Sequence, residues 1–301
     1  MTKKNYDVII VGGSYSGLAA AMALGRSLRR VLVIDDGKPC NIQTPHSHNF
    51  LTHDGSSPRE IQTIAMHQVK QYDTVEFYTG RATSGARTAG GFDIATESGE
   101  TFNGRKVIFA TGIKDIMPEV KGIAACWGIS VLHCPYCHGY EVRNLKTGVL
   151  GNGEPVFEYA AMISNWTKDL TLYTNGRSTL AAWQTSKLAQ HGIGVVEDAI
   201  ESVEHQNGQL QLLRFANNKT VALNALYARA LFAQHCNVPE LLGCELTEDG
   251  YIKVDLFQKT SAPGIFACGD NTSRMRTVAN AVATGATAGM MANKDLILES
   301  F

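Results

Sequence analysis

The sequence has no excess of either charge: 27 Lys and Arg stand against 28 Asp and Glu over 301 residues, a formal net charge of -1. That balance excludes the basic surface of a nucleic-acid or anionic-membrane binder. Cysteines are sparse and odd in number, seven in all, which excludes the disulfide framework of a small secreted domain. Low-complexity linkers are missing, and no repeat is visible beyond a doubled strand-turn-helix-strand pattern. A clean membrane-type run is lacking too. The one candidate, Val8 to Gly25, is uncharged and follows Lys3 and Lys4, but it holds four glycines and two serines and comes after Asp7. A strand, a turn and a helix account for it better than the apolar segment of a signal peptide. The expectation is a cytoplasmic protein of one large or two ordinary domains, with 44% hydrophobic residues to build its cores.

What is present begins at the N-terminus. Tyr6 to Val11 is a β-branched apolar run; Gly12, Gly13, Ser14, Tyr15, Ser16 and Gly17 follow, then a helix-forming stretch from Leu18 to Leu28 and a second buried strand, Val31 to Ile34. This is the pattern of a dinucleotide-binding βαβ unit. The first glycine makes the turn, Gly17 lets helix and strand pack closely, and the helix N-terminus faces a pyrophosphate. Asp35, followed by Asp36, lies roughly twenty residues on, where an acid accepts hydrogen bonds from ribose hydroxyls. The middle glycine of the motif is Ser14, so the backbone has to approach a phosphate with a Cβ present.

Pro45 to Gly55 carries three histidines, His46, His48 and His53, spaced too loosely for a metal cage and read as a polar loop around the cofactor. Pro58 to Tyr72 reads as a helix. Hairpin-like strands follow, with turns at Ala89-Gly90-Gly91, Ser98-Gly99 and Asn103-Gly104. Lys106 to Phe109 is another buried strand, closing on Ala110, Thr111 and Gly112. Thr147 to Leu150, a glycine turn at Gly151, a helix to about Asn165 and a strand Leu170 to Tyr173 form a second βαβ unit. It is damaged: Val156 holds the third glycine position, where bulk should loosen packing. Thr174-Asn175-Gly176 then offers neither an acid for a ribose diol nor an arginine cluster for a 2′-phosphate, and Arg177 stands alone. In the tail, Thr260 to Asp270 reads as a strand ending at Gly269-Asp270, and Ala279 to Leu298 as a closing helix.

Between the two units lies Cys134-Pro135-Tyr136-Cys137, followed by His138-Gly139-Tyr140-Glu141. Two cysteines at this spacing close a disulfide or open to a dithiol, and one thiol of such a pair often has a lowered pKa. A structural zinc needs two more ligands, and His133 and His138 sit too near for a two-arm cage, so no metal is expected. An ordinary imidazole titrates near neutrality, which suits His138 to take a thiol proton and return it. Cys134 is expected to be the nucleophile. The remaining cysteines, Cys40, Cys126, Cys236, Cys244 and Cys268, read as buried small apolar residues.

In their order and spacing, the run Gly12 to Gly17, Asp35, Ala110-Thr111-Gly112, the CxxC, the turn at Gly151 and Thr260 to Asp270 resemble the low-molecular-weight thioredoxin reductase family of flavoproteins. The resemblance implies an α/β fold of two Rossmann-like, three-layer ββα domains of the pyridine nucleotide-disulfide oxidoreductase type. It implies a discontinuous FAD-binding domain, 1–115 and 246–301, and an inserted NAD(P)-type domain, 116–245, carrying the dithiol, in a homodimer. It also implies that Cys134 exchanges with the external disulfide and Cys137 lies against the flavin. By the same likeness Asn49 contacts flavin, Gly269 and Asp270 bind its ribityl and phosphate side, and Thr277, after Arg276, stands where the family has a glutamine.

Three departures concern electron supply: His138 replaces the family's acid after the CxxC, its His-Arg-Arg clamp is absent from Tyr173 to Arg177, and Val156 replaces a small residue. The longer run Cys-Pro-Tyr-Cys-His-Gly-Tyr-Glu is similar to a branch of flavin-dependent dithiol oxidases that close disulfides in gliotoxin- and holomycin-type natural products. The resemblance therefore favours an FAD-dependent oxidase taking electrons from a small-molecule or protein dithiol through Cys134 and Cys137 to oxygen. Two other readings stay open: an NAD(P)H-dependent reductase of a thioredoxin-like protein disulfide, and a flavin-binding redox sensor. Without arginines for the 2′-phosphate and without a ribose acid, NAD(P)H fits poorly.

Overall fold

The computed structural model describes residues 5–301; Lys3 and Lys4, which flank the uncharged N-terminal stretch, lie outside them. The chain divides into two compact units. The first holds the described residues up to Ile42, Asn49–Lys114 and Phe232–Phe301, and the second holds Gln43–His48 and Asp115–Leu231. The return crossing falls ahead of the expected 246, because Val238, Leu242 and Cys244 are buried in the first unit's core.

The first unit is built on Asn5–Val11, a strand with parallel neighbours on both sides: Val31–Asp35 on one edge and Thr101–Phe109 on the other. Val75–Thr79 extends the parallel row beyond Val31–Asp35. Thr101–Phe109 changes partners along its other edge. Its first half pairs antiparallel with Gly91–Thr96, which pairs in turn with Ala82–Thr88, and its second half pairs parallel with Ile265–Ala267. Strand side chains alternate between faces, and here both faces are buried. Val8, Ile10, Val33 and Ile108 meet Leu18, Ala21 and Leu24 of the helix Tyr15–Arg26 and Ala288, Ala292 and Leu296 of the closing helix Val278–Ser300. Ile9, Val11, Leu32, Ile34 and Phe109 meet Phe92, Ile94, Val238 and Leu242 on the other side. The helix Pro58–Val69 opens on a capping box of Ser57 and Glu60 and stops short of the expected Tyr72.

Asn103-Gly104 is not a turn. Both residues lie inside Thr101–Phe109, with Gly104 paired to Tyr6 and Phe92. A side chain at Gly104 would stand 2.8 Å from Cγ1 of Ile9, so the glycine serves close packing within the sheet rather than a hairpin.

The second unit has a five-stranded parallel sheet in the order Gly194–Val196, Leu170–Tyr173, Thr147–Leu150, Ala225–Ala228 and Val131–Leu132. A separate antiparallel meander follows, Ile200–Gln206, Gln209–Phe215 and Thr220–Ala222. The helix Glu154–Ile163 packs on the sheet through Val156, Tyr159, Ala160 and Ile163. The bulk of Val156 does not loosen this packing. The residue is buried, and its Cγ2 fills the side of Gly151 where a Cβ would otherwise stand 3.0 Å away. Among the described residues no helix is long and apolar enough to cross a membrane.

Candidate functional site

In the first unit, the strand Asn5–Val11 ends at a turn where Gly12 has φ +105° and its missing Cβ leaves room for the carbonyl oxygen of Ala110. A Cβ on Gly17 would fall 1.8 Å from the Gly12 carbonyl oxygen, so this glycine is fixed by contact between helix and turn. Ser14 is the N-cap of Tyr15–Arg26 and makes no side-chain cap hydrogen bond, which leaves the donors of the helix start for another acceptor. Ser16 is buried, and its Oγ lies where a Cβ on Gly269 would stand. The Tyr15 hydroxyl donates to the Pro58 carbonyl and accepts from Asn41 Nδ2.

Asp35, at the end of its strand, accepts from the Gly13 N–H through Oδ1 at 2.9 Å and from the Gly37 N–H through Oδ2 at 3.2 Å. A carboxylate has about four acceptor sites, so both oxygens retain capacity for hydroxyl donors. Asp36 is exposed, and its charge acts on His235 rather than on the turn. Ala110 is buried and donates to the Val11 carbonyl, and Gly112 has φ +61° with open space beside it. Thr111 Oγ1 accepts from Asn271 Nδ2, which also reaches the Phe109 carbonyl.

Asp270 lies with Oδ2 3.6 Å from Nε of Arg276. Gly269 donates its N–H to Thr284 on the closing helix. Thr277 is the N-cap of that helix and its oxygen accepts from Asn280 N–H, which leaves its O–H and one lone pair for another partner. Asn49 is exposed at φ +60°, its N–H bound to Asp54. Two residues escaped sequence reasoning: Asn41 and Asn271, whose Oδ1 atoms are buried and without a hydrogen-bond partner. Buried acceptors of this kind call for a donor. The position of Asn271 directly after Gly269-Asp270 was the available signal.

In the second unit Cys134 and Cys137 form a disulfide, and both are partly exposed. Cys134 caps the single turn Pro135–His138, its Sγ accepting from Cys137 N–H at 3.1 Å. The turn is seated by Gly139, where a Cβ would meet the Pro135 carbonyl at 2.4 Å and Trp166 Nε1 at 2.8 Å. Tyr136 is 64% exposed, edge-on to Trp166, and Tyr140 is 66% exposed beneath the Arg143 guanidinium. Just ahead of the pair, His133 stacks on Trp127 and its carbonyl accepts from the Tyr159 hydroxyl. Burial pushes the His138 imidazole below its ordinary pKa, against the pull of Glu141 and with the push of His48. The ring is therefore neutral at neutral pH, the state in which it accepts a proton.

The second glycine-rich turn has no side-chain cap at Gly153, and the Gly153 N–H is held by the residue before it. Asn152 Oδ1 accepts from the N–H of its neighbour Gly153, from Thr179 N–H at 2.8 Å and from Thr179 Oγ1. Pro155 supplies no N–H, and Glu154 places a carboxylate in the first turn. Thr174 Oγ1 donates to the Gly176 carbonyl, closing the loop where a ribose acid would sit. Arg177 gives its carbonyl to Asn152 Nδ2.

No group of three or more His, Cys, Asp or Glu suited to a metal comes together among the described residues. Cys126, Cys244 and Cys268 are buried as expected and Cys236 partly so, with burial pushing Cys268 up to about 12. Cys40 is exposed, contrary to expectation, with Sγ 4.0 Å from Asp270.

The model of the family described as pyridine nucleotide-disulphide oxidoreductase matches residues 6–285. A protein named thioredoxin reductase tcpT, from Claviceps purpurea, is 34% identical over 99% of this chain and 96% of its own. The crystal structure of an oxidoreductase from Agrobacterium tumefaciens is 35% identical with a TM-score of 0.93, covering 98% of this chain and 99% of that one. The crystal structure of HlmI gives the same TM-score at 29% identity, over 98% and 94%.

Proposed function

The chain belongs to the pyridine nucleotide-disulphide oxidoreductase family, within its thioredoxin reductase-like flavoenzymes, and on that premise we propose that it oxidises a dithiol through Cys134 and Cys137 and passes the electrons by way of FAD to oxygen. The first unit is the FAD-binding domain in this reading, and the second is the NAD(P)-type domain that carries the dithiol. The residues fit FAD: the donors at the start of Tyr15–Arg26 would hold the pyrophosphate, and Asp35 would take ribose hydroxyls. Asn41 and Asn271 would offer their buried oxygens to further hydroxyl donors. FAD, when bound, supplies a two-electron acceptor that oxygen can regenerate.

A substrate thiolate attacks Sγ of Cys134, breaking the Cys134–Cys137 bond and leaving Cys137 as the thiolate. The second substrate thiol then attacks the substrate sulfur of the mixed disulfide, releases Cys134, and leaves the protein two electrons richer. His138, neutral before the reaction, receives a thiol proton. The observation that carries this direction of flow is the self-closed second turn. Asn152 holds the Gly153 N–H, Pro155 removes another donor and Glu154 adds repulsion toward a pyrophosphate. Pro155, Glu154 and the lack of a ribose acid or an arginine cluster after Tyr173 make a poor NAD(P)H site.

The name of the Claviceps relative favours a second reading, in which NAD(P)H reduces a thioredoxin-like disulfide. One experiment separates the two: FAD-loaded protein is mixed without air with NADPH, NADH or a dithiol, and the flavin absorbance is followed. Bleaching by dithiol alone, reversed by air with peroxide formed, is the expected result. Rapid bleaching by NADPH at micromolar concentration would overturn it, and no change with any donor would point to a redox sensor. We also propose a homodimer and a cytoplasmic setting, where the five free cysteines stay reduced beside one redox pair.

A further inference from the structure

We propose that Glu141 is the positioning residue of the dithiol reaction, and that Glu141 and His48 act in opposite directions on the proton that His138 takes from a thiol. This rests on the assignment of Cys134 and Cys137 as a dithiol pair, but not on which acceptor follows. The turn Pro135–His138 runs on through Gly139 N–H to the Pro135 carbonyl and Val142 N–H to the His138 carbonyl. His138 and Glu141 therefore stand three residues apart around this turn, close enough for the Glu141 charge to act on the His138 ring. From the opposite side, the segment Gln43–His48 packs with this unit and brings His48 Nε2 to 3.6 Å from Glu141 Oε1. His48 is 19% exposed, and Glu141, at 38%, is open to solvent.

The surrounding groups complete the picture. Tyr227, on the strand Ala225–Ala228, has a buried hydroxyl with no hydrogen-bond partner, and burial together with the Glu141 charge pushes its phenol up. His46 lies beside His48 at a ring distance of 6.3 Å. Burial holds the His138 imidazolium in check, Glu141 favours it and His48 opposes it. The step itself moves one proton: the S–H bond breaks, a bond to a His138 ring nitrogen forms, and a thiolate and an imidazolium result with no electrons transferred. An imidazolium in a desolvated site needs a counter-charge. Glu141 supplies it, and His48, with Nε2 3.6 Å from Glu141 Oε1, competes for that charge.

The test uses the reduced, FAD-loaded protein and iodoacetamide, whose alkylation rate across pH reports the thiolate of the pair. E141Q should slow alkylation near neutral pH about tenfold, the effect of roughly one pKa unit, while E141D, which keeps the charge, recovers most of the rate. H48Q should react as fast as the wild type or faster. The proposal is overturned if E141Q stays within about twofold of the wild type, or if H48Q slows as much as E141Q, which would make the pair a structural tether. Bleaching of the wild-type flavin by dithiothreitol without air is run alongside. Its failure would remove the dithiol reading and leave the alkylation result standing by itself.

Discussion

The first and last helices of the first unit meet backbone to backbone at a glycine, and Gly285→Ala tests that contact. A Cβ at Gly285 would stand 2.1 Å from the carbonyl oxygen of Ser16 and 2.8 Å from that residue's Cα. Backbone cannot swing aside as a side chain does, so the helices Tyr15–Arg26 and Val278–Ser300 would have to part by about 1 Å, a gap that forfeits much of the dispersion energy between facing groups. Leu18, Ala21, Leu24, Ala288, Ala292 and Leu296 share that interface or the core beneath it. Overpacking of this kind costs about 3 kcal/mol. Replacing a helical glycine by alanine returns about 1 kcal/mol of helix propensity, so packing wins and the net loss is about 2 kcal/mol. Ser16 and Gly17 open the turn proposed for FAD, so the yellow cofactor should also leave at lower urea. Urea unfolding followed by circular dichroism and flavin fluorescence measures both effects. Gly194→Ala is the control, because nothing stands near a Cβ there. If Gly285→Ala is as stable as the wild type within about 0.5 kcal/mol, the close approach of the two helices is not what orders the turn.

Cys134→Ser should keep the flavin and lose dithiol turnover; turnover that survives, measured by oxygen uptake, would show the pair is not the catalytic one. Acid should destabilise the fold through His138 and His235, both held by burial below their ordinary 6.5. Between the folded and unfolded values the unfolded chain binds more protons, so this stability is complete above about pH 6.5 and is lost as pH falls through the folded values. His235→Gln should flatten part of the slope of urea midpoint against pH, and an unchanged slope would assign the acid sensitivity elsewhere.

Elements whose residues carry their own signal were legible in the sequence. Leu170–Tyr173 and Thr147–Leu150 are short, continuous and buried on both faces, as parallel strands are, and both read correctly to the residue. The Asn-Gly pair at 103–104 misled because turn propensity is local, whereas Gly104 answers to Ile9 on the neighbouring strand. The same limit hid the accommodation of Val156 by Gly151 and the exposure of Cys40. His48 and Glu141 were each visible as residues of suggestive loops. Their meeting was not, because it depends on the segment Gln43–His48 packing with the second unit.

The two glycine-rich turns share a strand-turn-helix frame and differ in what holds their first N–H. At the first, the N–H of Gly13 is held by a carboxylate from the next strand, an acceptor with capacity to spare for hydroxyls. At the second, the N–H of Gly153 is held by the amide of the preceding residue, which also gathers Thr179 and Arg177, and the loop after the next strand closes on itself. The helix Glu154–Ile163 nevertheless remains buried against its sheet, and its Tyr159 hydroxyl donates to the carbonyl of His133, the residue before Cys134. Here the helix still positions the chain that enters the redox turn. Under the proposed reading, that is a sufficient physical reason for the helix to persist beside a disulfide that draws its electrons from thiols.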